Sequence, residues 1–102
     1  MKRFEWNEEK NQLLRKERNI SFEEIVDAVK KGKLLDRYKH PDDDKHCHQE
    51  IMVVEINNYA HLVPFVEDEE TYFLKTIYKS RKATKKYIKL IQENNGEKKR
   101  KI

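Results

Sequence analysis

A run rich in β-branched residues, at positions 49–56, is separated only by Asn57-Asn58 from a second, largely apolar run at 59–66. Asparagine tolerates the positive φ that a two-residue hairpin turn demands, so this spacing predicts an antiparallel hairpin in the middle of the chain. Such a pair must bury at least one face, and the cover has to come from the flanking segments. That requirement organises the rest of the reading.

Upstream, residues 3–6 form a short strand candidate. Asn7 can cap a helix over residues 8–18, with Glu8 and Glu9 favouring its dipole and Leu13 and Leu14 as the side chains to bury. Ser21-Phe22-Glu23-Glu24 is a capping-box pattern, and Phe22, Ile25, Val26 and Val29 follow with the spacing of one helical face. Gly32 ends that helix as its C′ residue. Residues 34–38 read as a strand and 40–44 as a loop. Downstream, Pro64 belongs at an edge or a bulge because it cannot donate to a ladder. Residues 67–70 form an acidic turn and 71–78 a further strand. A helix over 80–94 turns Ala83, Tyr87, Ile88 and Ile91 inward until Asn94-Asn95-Gly96 stops it. The order β-α-α-β-β-β-β-α predicts an α+β fold, one antiparallel β-sheet with helices segregated to one face.

The chain has 102 residues, room for one modest core. We read residues 1–96 as a single domain and 97–102 as a basic, disordered tail. Charged residues make up 41% of the chain, but its aromatic content and periodicity argue against disorder as a whole. The net charge of +4 is unevenly placed: from Lys75 to Lys101 there are eleven Lys or Arg and two acids. That imbalance points to a polyanion partner, or else to a solvated helix face with a charged tail. The single cysteine, Cys47, suits a reducing compartment. No N-terminal apolar run resembles a signal peptide and no stretch is long enough to span a membrane, so the expected location is cytoplasmic.

The segment 73–87 concentrates the chemistry. Arg81, at a strand-to-helix junction, can clamp two phosphate oxygens with its planar fork, or pair with Glu67 or Asp68 instead. Ser80 and Thr84 read as helix caps rather than nucleophiles. Lys79, Lys82, Lys85 and Lys86 are placed to follow an RNA backbone. Lys75 alternates with Phe73 and Ile77, which puts a lysine on an apolar side unless it reaches a site or snorkels out. Tyr78 can stack on a base, lend its hydroxyl as a proton donor, or pack at a core edge. His46, Cys47 and His48 beside Asp42, Asp43 and Asp44 lack the paired spacing of a structural zinc site, and neither metal nor cofactor is expected. His46 or His48, at the entrance of the long strand, can serve as a general acid or base near neutral pH, or lie in an exposed loop. His61, in step with Val63 and Phe65, reads as a core or interface residue. Composition and spacing alone therefore reach a basic α+β module that binds nucleic acid or an acidic protein.

Three blocks go further. Phe4-Glu-Trp-Asn-Glu-Glu-Lys-Asn11, Ile20-Ser-Phe-Glu-Glu24 and Ser80-Arg-Lys-Ala-Thr-Lys-Lys86 resemble, in matching order, the BrnT-like toxins of bacterial type II toxin–antitoxin systems. The resemblance implies a RelE-like fold and metal-independent endoribonuclease activity that arrests growth. It also implies neutralisation by a cognate antitoxin, an RNA substrate free or on the ribosome, and operator DNA bound through the antitoxin complex. Lys16 and Arg81 match family positions. Family members commonly read Lys-His-Gly before the Ile-Ser-Phe block, where this chain reads Lys16-Glu17-Arg18-Asn19; the histidine and glycine are missing, so the role of that histidine does not carry over.

Overall fold

The computed structural model describes residues 2–40 and 49–89. The elements are β1 (Arg3–Trp6), α1 (Glu8–Arg18), α2 (Phe22–Lys30), β2 (Leu34–Lys39), β3 (Gln49–Ile56), β4 (Tyr59–Glu67), β5 (Thr71–Leu74) and β6 (Tyr78–Lys79), then a helical turn α3 (Arg81–Ala83) that continues as a π-helix over Thr84–Lys89. The fold is α+β, with a six-stranded sheet in the order β1-β5-β4-β3-β2, and β6 paired to β4.

Local signals act as their chemistry dictates. Asn7 accepts the Lys10 amide at the start of α1. Ser21 and Glu24 form both halves of the capping box. Gly32, at φ +82°, closes α2: its amide donates to Val29 and that of Lys33 to Ala28, the paired bonds of a Schellman ending. Asn57 and Asn58 both take positive φ in the β3–β4 hairpin. Asn19 also sits in the left-handed region and ends α1. Leu14 is buried, whereas Leu13 is exposed.

Three expectations need correction. The sheet is mixed: β1 runs parallel to β5, placing Phe4 beside Tyr72 and Trp6 beside Leu74. Alternation of apolar residues fixes which face a side chain takes but not the direction of its neighbour, so this pairing is silent in the sequence. The helices are not confined to one face. Met52, Val54, Val63 and Phe65 pack with Leu14, Phe22 and Ile25 of the helices on one side. Val53 and Ala60 pack with Ala83 and Ile88 on the other. Four consecutive buried residues, Ile51 to Val54, mark β3 as a strand covered on both faces.

The third correction concerns residues 71–78, which form two strands rather than one. Phe65 pairs with Leu74 but Leu62 with Tyr78, so three steps along β4 face four along its partner. This is a bulge opposite Pro64. The Pro64 carbonyl accepts the Lys75 amide, so the position where its own N–H would sit faces the same side, and the ladder breaks there. The bulge turns Ile77 into the core beside Leu74 and leaves Lys75 exposed. The predicted helix over 80–94 is α-helical for one turn and π-helical to Lys89; Ile91 and Asn94-Asn95-Gly96 lie outside the described residues, as does the tail.

Among the described residues no buried side-chain nitrogen or oxygen lacks a hydrogen-bond partner. Asn11, fully buried on α1, accepts the Phe22 amide at the start of α2 (2.8 Å) and donates to Glu23 (2.8 Å), tying the two helices together. Near the β2 end of the sheet, Arg37 bonds Glu50 and Glu67 and lies over the rings of Phe65 and Tyr72. Lys2 takes the second oxygen of Glu67.

Candidate functional site

β6 is two residues long and pairs only with β4, so its outer edge is open among the described strands. Successive side chains of a strand alternate between faces, and a groove lies on each side of this edge. The first, of about 480 Å³, runs between the end of α1 and β6 and is lined by Glu17, Arg18, Asn19, Ile20, His61, Ile77, Tyr78 and Lys79. The second, of about 400 Å³, lies on the opposite face and is lined by Asp36, Tyr38, Leu62, Ser80, Lys82, Ala83, Lys86 and Tyr87.

In the first groove the strand pairing sets His61 opposite Lys79. His61 is only 3% exposed. Its Nδ1 lies 3.0 Å from the Tyr59 carbonyl oxygen, which can only accept, so Nδ1 carries the proton in that bond. A neutral ring protonated there carries its lone pair on Nε2. Burial pushes the imidazole pKa below its ordinary value, and the nearby Lys79 charge acts in the same direction, so the neutral ring prevails at pH 7. Arg18 is anchored by one guanidinium nitrogen, Nη1, on the Ile77 carbonyl at 2.7 Å, which leaves other N–H donors of its fork available. Tyr78 is 36% exposed on the rim. The groove thus gathers an unprotonated imidazole, the anchored Arg18 and the Lys79 cation, while the register of Tyr78 with Leu62 turns its side chain toward the opposite face, near Tyr38.

The residues singled out from sequence are distributed unevenly around this groove. Tyr78 and Lys79 line it. Lys82 and Lys86 line the second groove, and Lys85 is exposed beside them. Arg81 is exposed on the first turn after β6 and lines neither. Its suggested partners are otherwise engaged: Glu67 by Lys2 and Arg37, and Asp68 by the Glu70 and Thr71 amides. Ser80 caps the turn by accepting the Ala83 amide, and the Thr84 hydroxyl donates to the Ser80 carbonyl while accepting the Ala60 amide. Both hydroxyls serve structure. Lys16 is exposed on α1 and Lys75 lies 5.2 Å over the Phe73 ring in a third, more open depression beside Lys10; neither lines the first groove. His48, with His46 and Cys47, falls outside the described residues.

Two groove residues carry no local signal in the sequence. Arg18 looks like one more cation in the basic last turn of α1, and His61 like a core residue by its alternation with Val63. The bulge opposite Pro64 is what leaves β6 as a short edge strand beside them, and only that proline hinted at it.

On the second face, Asp36 accepts the Tyr87 hydroxyl through Oδ2 and the Arg37 amide through Oδ1. The Tyr87 bond, then the amide, hold its carboxyl below the usual range, while the same bond pushes Tyr87 up to about 12. Among the described residues no cluster of His, Cys, Asp or Glu is arranged to hold a metal ion, and no helix is long and apolar enough to cross a membrane.

Residues 12–79 match the model of a family described as a domain of unknown function, DUF4258. That span includes Arg18, His61, Tyr78 and Lys79. No curated protein matches the chain, and no solved structure does.

Proposed function

The chain belongs to the DUF4258 family, and from the groove inside its matched segment we propose that it is a small metal-independent endoribonuclease of the toxin class. The observation that carries this reading is His61, buried and neutral with Nδ1 pinned to a carbonyl, in one groove with Arg18, Tyr78 and Lys79. Metal-independent RNA cleavage needs these elements. His61 Nε2 takes the proton of a 2′-hydroxyl as its oxygen bonds to phosphorus. The P–O5′ bond breaks, and the Lys79 ammonium, on the same face as His61, protonates the departing oxygen. The products are a 2′,3′-cyclic phosphate and a 5′-hydroxyl end. Arg18 and Lys79 neutralise the charge that grows on the phosphorane oxygens. Such proton transfer typically contributes about 10²–10⁴-fold. The histidine of the BrnT-like Lys-His-Gly pattern is missing from this chain, and the base role falls to His61.

The same reading takes the fold as RelE-like, with Arg81, Lys82, Lys85 and Lys86 guiding the RNA backbone toward the groove. A cognate antitoxin covers the site, and operator DNA is reached through that complex. The test is induced expression in a bacterial host, following growth and total RNA. Wild type arrests growth with RNA loss, and a folded Arg18→Ala protein does not. Normal growth with intact RNA from soluble wild type, or undiminished arrest by Arg18→Ala, overturns the proposal.

A further inference from the structure

The second groove is not used by this chemistry, yet one edge strand separates it from the first. In β6, Lys79 pairs with His61 of the first groove and Tyr78 with Leu62 of the second. β6 is an edge strand among the described strands, so a nucleic-acid strand following the first groove reaches the second by passing round that edge.

What waits there is a fixed carboxylate among tyrosines and lysines. Among the described residues each Asp36 oxygen accepts one hydrogen bond, Oδ2 from the Tyr87 hydroxyl and Oδ1 from the Arg37 amide. A carboxylate has about four lone-pair positions, so each oxygen keeps one free. Tyr38, 37% exposed, lines the same groove and offers a ring for stacking. Lys82 and Lys86 line it too and can meet a phosphate.

We propose that this groove is a base-reading subsite for an unpaired guanine in the RNA strand, with Asp36 accepting N1–H and N2–H while Tyr38 stacks on the ring. Guanine alone among the four bases presents two adjacent donors on its pairing edge. Adenine and cytosine present a donor beside an acceptor, and uracil a donor between two acceptors. Each of those acceptors faces the carboxylate unfavourably. The subsite rests on the reading of the first groove as the path of the RNA backbone, and it makes the substrate class single-stranded RNA with guanine next to the cleaved bond.

The experiment measures binding of uncleavable 2′-O-methyl-RNA hexamers that differ at one position: guanine, inosine, adenine, cytosine or uracil. Guanine binds at least about tenfold tighter than adenine, cytosine or uracil, as expected of a two-donor contact, and inosine falls between. Asp36→Asn, with an unchanged circular dichroism spectrum, removes the preference, and Tyr38→Ala weakens all five oligomers alike. Equal affinity for guanine and adenine in the wild-type protein overturns the subsite, as does full guanine preference in Asp36→Asn. Cleavable oligomers separate the two readings. Cleavage without guanine preference refutes the subsite alone, and guanine-selective binding without cleavage refutes the ribonuclease alone.

Discussion

Replacing Asn11 by alanine is the sharpest test of how the helical layer is held. The amide side chain has no exposed surface and joins the two helices through the Phe22 amide and Glu23. Alanine leaves the Phe22 N–H buried behind α1 without its acceptor. An orphaned buried donor costs about 1–3 kcal/mol, and the small void adds about 1 kcal/mol. A total near 3 kcal/mol is a large part of the roughly 5–15 kcal/mol that holds a small domain together, and corresponds to a melting point lower by roughly 12–24 °C. Asn11→Asp separates the two bonds. Its carboxylate still accepts the Phe22 amide but stands where a donor met Glu23, so it is destabilised at pH 7 and recovers as the pH falls toward 4. Urea denaturation of the three proteins across this pH range measures both effects. An Asn11→Ala protein within 0.5 kcal/mol of wild type refutes the reasoning.

Other consequences follow from single groups. The folded His61 pKa lies below its unfolded value, so between the two the unfolded chain binds more protons. Stability therefore falls as the pH drops below about 6.5, and His61→Gln, followed by urea denaturation at pH 5 and 7, removes that part of the loss. Gly32→Ala costs about 1 kcal/mol from the positive φ alone, because an added Cβ meets nothing within 4 Å; Gly32→Asn costs less in the same thermal melts. Arg37→Ala loses the links to Glu50 and Glu67 and the contact with Phe65, but the guanidinium is 37% exposed, so the loss is roughly 1 kcal/mol and shrinks in high salt.

Short-range rules made much of this fold legible. The Asn7 cap, the Ser21–Glu24 box, the Gly32 ending and the Asn57-Asn58 turn each act within a few residues, and each forms as its side chain requires. Long-range choices were not legible. The parallel pairing of β1 with β5 joins segments far apart in sequence, and alternation leaves strand direction open. The two-sided burial of β3 was present as the run Ile51 to Val54, but a single hairpin reading assigned it one covered face. For the candidate site, Tyr78 and Lys79 were visible as cations and aromatics in a basic segment. Arg18 and His61 were not, because the bulge that places β6 beside them arises from the shift in register between β4 and its partners across Pro64. Lys16, singled out by the family resemblance, and Lys75, by its alternation with Phe73 and Ile77, lie away from that groove.

The account turns on chemistry in the first groove, and its most direct test is the product end. Purified protein is incubated with single-stranded RNA in excess EDTA across pH 5 to 9, and the fragments are analysed by mass spectrometry. The account predicts cleavage that EDTA does not reduce, giving 2′,3′-cyclic phosphate and 5′-hydroxyl ends, with a rate that rises through an imidazole-like titration below pH 6.5 and is lost in a folded His61→Gln protein. Fragments with 5′-phosphate ends, cleavage abolished by EDTA, or undiminished cleavage by His61→Gln would contradict it.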